Sequence, residues 1–324
     1  MTQPIRLRHR RKRRRPLNTT LLRLVQATAT IAVTWFIVTR AGLSVEELRG
    51  LDPGMFELHV VSLVASCVLL FIGYISTALI WALIVRDLGG PRLAGADAVR
   101  LFMIGNLGRY IPGKVWQIAA LAALARPRGV PAATSTAAAI LGQGTGLGAA
   151  MAIGLGAAWQ YGAGEAWRWV IPGLVLGGTM LGLIPPVFDT VSRLWFRLAK
   201  TDAPEGLSTV HGARWVLSSL LSWVVYAVSF WLFARGLGFD VGLVAGGAAF
   251  AAAYVLGYLV VFAPAGLGVR EGFLIALLSS TIGVGGATAL AAAARLWTTI
   301  VEVVPATAFW ALHLAEDGVT GSGE

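Results

Sequence analysis

Four positively charged side chains lie within stretches that are otherwise apolar. They are Arg109, Lys114, Arg270 and Arg295. Hydrocarbon cannot hydrate such groups, so they require a protein-lined cavity, a lipid headgroup or water. They outnumber the acids in the same stretches, Glu271 and Glu302. Because arginine binds phosphate in a bidentate manner and lysine neutralises it as a point charge, the pattern predicts a site for an anion.

Two aromatic side chains and an amide accompany the first two cations. Tyr110, Trp116 and Gln117 are therefore further candidates for contact with the same ligand. Aromatic residues are also common where membrane helices meet lipid headgroups, so anchoring at the interface is the alternative for the two aromatic residues.

The composition is that of a membrane protein. Of 324 residues, 56% are hydrophobic and 13% are charged, and the mean hydropathy is +0.73. Soluble domains have about a quarter charged residues. Several apolar runs exceed the length that crosses about 30 Å of hydrocarbon. The predicted fold class is all-α, a polytopic helical bundle with about six to eight spans, two of its helices being re-entrant or broken.

The formal net charge of +10 is concentrated at the N-terminus, where eight basic residues lie within the first fifteen positions. Such a cluster is typical of a cytoplasmic segment that binds anionic lipid, so we expect that partner and no nucleic acid. We expect a basic cytoplasmic tail at 1–19, a transmembrane domain at 20–314 and a polar tail at 315–324, in the cell (inner) membrane.

The first break in the apolar pattern lies at Pro112 and Gly113. Residues 98–124 are long enough to cross, yet basic links bound them at both ends. Proline removes a backbone donor and glycine permits a turn, so we expect a re-entrant hairpin of two half-helices. A kinked full span is the alternative.

Uninterrupted spans are predicted elsewhere. They are residues 21–38, 58–85, 132–159, 170–187, 215–233, 241–261 and 286–314. Within the third of these, the glycines of 142–146 predict close helix approach, and Gln143 is expected to face a cavity.

The second break contains a proline, two glycines and an Arg-Glu pair. These are Pro264, Gly266, Gly268, Arg270 and Glu271. The apolar run that follows, 272–282, is too short to cross, which predicts a second re-entrant or discontinuous helix. The two breaks lie about half the chain length apart, and paired broken helices indicate a binding site near the middle of the membrane. A two-half pseudo-repeat is the corresponding prediction.

The last predicted helix carries a polar stripe. Arg295, Thr298, Thr299 and Glu302 share one face because their offsets are three, four and seven residues. An isolated charge at this depth costs roughly 2.5 to 3.5 kcal/mol, so the stripe must face the bundle. Arg295 is either a ligand contact or the partner of a structural salt bridge to Glu302 or Glu271.

Motifs for nucleotide binding, nucleophilic hydrolysis and zinc proteolysis are absent, and the four histidines are scattered. We therefore expect no cofactor, no metal and no catalytic residues.

Residues 106–117, with their Arg-Tyr-Ile-Pro-Gly-Lys-Val-Trp core, and residues 264–271 together resemble the transmembrane flippase-like domain family of lysylphosphatidylglycerol synthetases. The resemblance covers about residues 20–314. It implies a helical bundle with broken helices, a domain that in the full-length synthetases is implicated in moving an aminoacylated phospholipid between leaflets. The chain departs from the family in having no soluble aminoacyl-transferase domain and in having Gly142-Gln143 where many relatives carry a Glu-Arg pair.

We therefore expect a translocase, rather than an enzyme, for a membrane phospholipid or a lipid-linked anion. One alternative is a membrane transferase with Glu271 or Glu302 as its base. Another is a non-catalytic membrane partner of a separate lipid synthase. The pattern indicates no particular oligomeric state.

Overall fold

The computed structural model describes residues 58–111, 115–160, 207–260 and 266–320, together with Thr190 and Arg197, except for the side chains of 157–160 and 313–320. Every regular element in this part of the chain is a helix. The predicted spans 21–38 and 170–187 lie outside the described residues, as does the basic tail.

Seven helices follow one another in the described part of the chain. They are α1 (Val60–Asp87), α2 (Gly95–Asn106), α3 (Val115–Ala125), α4 (Ala132–Gln160), α5 (Thr209–Gly236), α6 (Leu243–Leu259) and α7 (Val269–Thr320). Helix α7 is interrupted at Gly283, where φ is 74° and ψ is 163°, so we divide it into α7a (269–282) and α7b (284–320). Helices α1, α4, α5 and α7 are long and apolar enough to cross a membrane.

Large apolar side chains cover the outside of the bundle. Val61, Val210 and Val244 are 84%, 73% and 70% exposed. A water-soluble protein rarely exposes contiguous apolar surface on this scale. Hydrocarbon accommodates such side chains without cost, so the exposed faces are those expected of helices surrounded by lipid.

Polar contacts identify the two ends of the bundle, which we call the His59 end and the Asp87 end. At the His59 end, the His59 N–H donates to the Gly236 carbonyl at 2.9 Å, which places the start of α1 beside the end of α5. At the Asp87 end, the Asp87 carboxylate accepts from Trp215 Nε1 at 2.8 Å and from Arg214 Nη2 at 2.5 Å. Helices α1 and α5 therefore run antiparallel.

Helices α2 and α3 form the first hairpin. A Cβ on Gly105 would lie 3.3 Å from Leu121 Cα, and one on Gly108 would lie 2.8 Å from Gln117 N, so the arms are antiparallel and closely packed. The Asp97–Arg128 ion pair, at 3.0 Å, joins the two open ends of the arms. Twelve helical residues span only about 18 Å. The prediction of a re-entrant hairpin is confirmed, although Pro112 and Gly113 themselves lie outside the described residues.

Helices α6 and α7a form the second hairpin. Arg270 Cβ lies 3.1 Å from a Cβ built on Gly257, so the first turn of α7a packs on the last turns of α6. Gly266 and Gly268 have φ of 71° and 77°, which glycine adopts readily. Pro264 lies outside the described residues. The prediction of 241–261 as a crossing helix is wrong, because α6 has 17 residues and is one arm of this hairpin.

The two hairpins enter the bundle from opposite ends. The first has its open end at the Asp87 end, beside the end of α1 and the start of α4. The second has its open end at the His59 end, where Phe239, before α6, lies 3.2 Å from a Cβ built on Gly286, just after α7a. The order span, hairpin, span therefore occurs twice with opposite direction: α1, α2–α3, α4, and then α5, α6–α7a, α7b. This topology matches the predicted pair of broken helices and has the form of an inverted repeat.

Close helix approach occurs elsewhere in α4 than predicted. No described residue lies within 4 Å of a Cβ built on Gly144, and a Cβ on Gly142 or Gly146 would make only ordinary contacts, at 3.5 and 4.0 Å. The tight contact is two to three turns later, where a Cβ on Gly154 would lie 2.9 Å from the backbone nitrogen of Ala252 in α6. The glycines of 142–146 instead leave space beside the helix.

This difference predicts opposite effects for two identical substitutions in α4. Gly148→Ala adds a methyl group where nothing lies within 4 Å, and alanine favours a helix over glycine by about 0.5 to 1 kcal/mol. Gly154→Ala pushes against the backbone of α6, and overpacking costs about 1 to 3 kcal/mol. Thermal unfolding of both variants in one detergent should show a lower midpoint for Gly154→Ala only. Equal shifts would contradict the packing described.

Candidate functional site

The carboxylate of Glu302, on α7b, binds three side chains at the tip of the first hairpin. Asn106 Nδ2 and Arg109 Nη1 donate to Oε1, the latter at 3.1 Å, and the Tyr110 hydroxyl donates to Oε2 at 2.8 Å. Glu302 is 1% exposed, whereas the Arg109 side chain is 22% exposed. The carboxylate therefore anchors the hairpin tip to α7b.

Gln117 ties the second arm of the hairpin to the same cluster. Its Nε2 donates to Asn106 Oδ1 at 2.6 Å, and Asn106 in turn donates to Glu302. Asn106 is 4% exposed. Residues 106 and 117 are therefore in contact across the break between the two arms. Through Asn106, the Glu302 carboxylate holds both arms.

The tip of the second hairpin is bound to the same helix about two turns away. Arg295 Nη1 lies 3.8 Å from Glu271 Oε1, and the Gly268 N–H donates to Glu271 Oε2 at 2.7 Å. The second contact is a helix N-cap, in which an acidic residue in the first turn binds the backbone N–H that precedes the helix. Of the two predicted salt-bridge partners for Arg295, the structure has Glu271 and not Glu302.

The guanidinium of Arg270 is positioned by aromatic rings. Its Cζ lies 4.5 Å from the ring centre of Phe250 and 5.8 Å from that of Tyr254, both on α6. Among the described residues, no carboxylate lies within 4.0 Å of this guanidinium. Cation–π contact holds a cation in place while its N–H groups stay available to a ligand.

A cavity lies between the two hairpin tips and the helices around them. Its wall is formed by the four crossing helices and by the arms of both hairpins. Helix α7a contributes only its first turn. The polar side chains of the wall are Tyr74, Thr77, Asn106, Arg109, Gln117, Gln143, Ser219, Ser222, Tyr226, Tyr254, Tyr258, Arg270 and Thr298. Within the described part of the wall, arginines 109 and 270 are the charged side chains.

The predicted site residues separate into three groups. Arg109, Gln117 and Arg270 line the cavity. Four others lie behind this wall in the ion-pair clusters just described: Tyr110, Glu271, Arg295 and Glu302. Trp116 is 50% exposed and does not line the cavity. Lys114 lies outside the described residues.

Sequence reasoning missed the aromatic stripe of α6. Phe250, Tyr254 and Tyr258 are spaced by four residues, so they share one face of the helix, and all three line the cavity. This regular spacing in a helix otherwise rich in alanine and glycine was the available signal. Gln143 was expected to face a cavity, and it lines this one, with its Nε2 donating to the Tyr254 hydroxyl at 3.3 Å.

Among the described residues, the charged groups around the cavity leave one positive charge. Arg109 is paired with Glu302 and Arg295 with Glu271, while Arg270 contributes a third cation. Among the described residues, no group of three or more His, Cys, Asp or Glu side chains is arranged to hold a metal ion. The arrangement is suited to binding an anion through Arg270 and neutral polar groups.

Crossing helices of this apolarity, joined by re-entrant hairpins, define a multi-pass helical membrane protein. The family model described as the lysylphosphatidylglycerol synthase TM region matches residues 20–306, so the chain belongs to that family and is linked by it to lipid handling. Comparisons with curated proteins and with solved structures give no match.

The Glu302 cluster predicts a strong effect of a nearly isosteric substitution. Glu302→Gln removes the charge that neutralises Arg109 within the bundle, and breaking a buried pair on one side costs about 3 to 5 kcal/mol. Asp97→Asn is the matched control, because its pair with Arg128 is 39% and 23% exposed and such pairs contribute about 0 to 1 kcal/mol. Thermal unfolding should show a large drop in midpoint for the first and little change for the second. A drop of similar size in both would contradict an anchoring role for Glu302.

Proposed function

We propose that this protein translocates an anionic phospholipid or a lipid-linked anion between the leaflets of the cell membrane. The observation that carries the proposal is Arg270, a guanidinium without a carboxylate partner among the described residues, held on aromatic rings at the wall of a cavity. A group placed in this way supplies donors for a phosphate at little further cost in ordering.

The topology supports movement between leaflets as well as binding. Transporters built from inverted repeats bind substrate near the middle of the membrane, between broken helices that enter from the two sides. Here the tips of the two hairpins meet α7b at Glu302 and Arg295, about two turns apart. A rocking motion of one hairpin against the other would open the cavity to either end in turn.

The membrane orientation belongs to the same proposal. The basic residues at the N-terminus favour a cytoplasmic position for that end of the chain and bind anionic lipid. No nucleotide-binding motif occurs in the sequence, so we propose movement that is facilitated or coupled to an ion gradient.

The transferase alternative has less support, because both of its candidate bases are occupied. Each oxygen of Glu302 accepts a hydrogen bond, and Glu271 binds the Gly268 N–H and lies beside Arg295. A general base must reach the proton that it removes. Neither carboxylate lines the cavity in which a substrate would lie.

The proposal predicts that Arg270 is required for lipid movement. Purified protein in liposomes should accelerate the exchange of acyl-labelled fluorescent phosphatidylglycerol, measured as the fraction that dithionite quenches over time. Arg270→Gln should lower the rate at least about tenfold, because a charge-assisted hydrogen bond contributes about 1.5 to 3 kcal/mol.

Arg235→Gln is the matched control. Arg235 also has a cation–π contact, with its Cζ 5.4 Å from the ring centre of Trp231, but it lies at the His59 end and outside the cavity wall. This variant should keep the rate of the unchanged protein. Absence of acceleration for every lipid of the native membrane, with folded protein in the liposomes, would refute translocation.

A further inference from the structure

The charge of the cavity wall restricts which headgroup fits. Within the described residues, Arg109 and Arg270 line the wall and no Asp or Glu does. The nearest acids are turned to other partners: Glu302 is 1% exposed and binds the first hairpin, and Glu271 is 6% exposed and binds the start of α7a. Among the described residues, an ammonium group inside the cavity would therefore meet guanidinium groups and no accessible carboxylate.

The remaining polar groups of the wall are neutral. Thr77 and Tyr226 hydrogen-bond to each other at 3.0 Å, and Gln143 donates to the Tyr254 hydroxyl at 3.3 Å. Ser219 and Ser222 line the wall nearby. A hydroxyl offers one donor and two acceptor positions, so a group already in one hydrogen bond can still bind a second partner. Such a surface matches the hydroxyl groups of a glycerol or a sugar.

We propose that the cavity selects a headgroup in which a phosphate is the charged group and the other polar groups are neutral hydroxyls. It would exclude headgroups that carry amines, including the lysyl group of the lipid for which the family is named. The inference rests on the proposed function, since it takes this cavity as the headgroup site.

Electrostatics and the aromatic rings both support this selectivity. Two like charges repel each other more strongly inside a protein than in water, because the effective dielectric constant is lower, so an amine near Arg270 is disfavoured. Aromatic faces attract cations, but Arg270 already lies over Phe250 and Tyr254. A phosphate beside Arg270 meets neither obstacle.

Two lipids that differ only in the lysyl group test the inference. Phosphatidylglycerol and lysylphosphatidylglycerol with the same acyl chains would be offered together to the full-length protein in detergent, and the bound ratio measured by native mass spectrometry. We expect at least tenfold preference for phosphatidylglycerol. Arg270→Gln should abolish the preference, whereas Arg235→Gln should retain it.

A second variant adds the missing charge. Gln143→Glu introduces a carboxylate into the wall with little change of shape, so the bound ratio should move toward lysylphosphatidylglycerol. Gln143→Leu removes the amide without adding charge, and it should leave the ratio in favour of phosphatidylglycerol. Each variant needs a thermal unfolding midpoint close to that of the unchanged protein, which separates selectivity from loss of fold.

The outcomes distinguish the two proposals. Equal or stronger binding of lysylphosphatidylglycerol by the unchanged protein would overturn the headgroup inference, and translocation of phosphatidylglycerol would still leave the proposed function standing. Preferential binding of phosphatidylglycerol without translocation of either lipid would support the headgroup inference, and translocation itself is refuted only if no lipid of the native membrane is moved. An unchanged ratio in Arg270→Gln would overturn the assignment of the site to this cavity.

Discussion

The structure depends on the requirement that polar groups inside hydrocarbon be satisfied by the protein itself. A hairpin that ends within the bundle exposes backbone and side-chain donors at its tip, and Glu302 accepts three of these donors with one carboxylate. Glu271, which lies at the second tip, accepts from the Gly268 N–H and pairs with Arg295 of α7b. Since both acids bind α7b to a hairpin, that helix is the element on which the two halves of the described bundle are assembled.

The ion pairs also determine where charge is left for a ligand. Arg109 and Arg295 are each neutralised by a carboxylate, so their charge contributes to assembly more than to binding. Arg270 lies beside Glu271 in the sequence but on another face of the helix, where aromatic rings hold it. A step of about 100° per residue around a helix separates Arg270 from Glu271. Among the described cations at the hairpin tips, Arg270 is therefore left without a carboxylate partner, whereas Arg109 and Arg295 each have one.

Local patterns predicted the crossing helices α1, α4, α5 and α7b, the two breaks and the family, because proline, glycine and apolar run length act on a few residues at a time. Which residues form ion pairs with each other could not be predicted in this way. Arg295 and Glu302 share a face, but seven residues separate them by about 10 Å along the axis, whereas the side chains that face each other on a helix are three or four residues apart. Which hairpin residue contacts Arg295, and which contacts Glu302, depends on how deeply the hairpins enter the bundle. The role of α6 was missed for a related reason, since 17 residues of strong apolarity resemble a short span until a partner arm is found.

In the described part of the chain one uncompensated cation lines the cavity, and a single cation allows a ligand to be released as well as bound. A site that conducts must bind well enough to admit its substrate and weakly enough to lose it. Four free cations at one point, as the residue count alone suggested, would hold a phosphate tightly and would repel one another when empty. Pairing Arg109 and Arg295 with acids removes both problems, and the neutral hydroxyls of the wall add contacts whose strength resembles that of water. On the proposed function, the acids buried behind the wall therefore moderate affinity for the headgroup while they hold the hairpins in place.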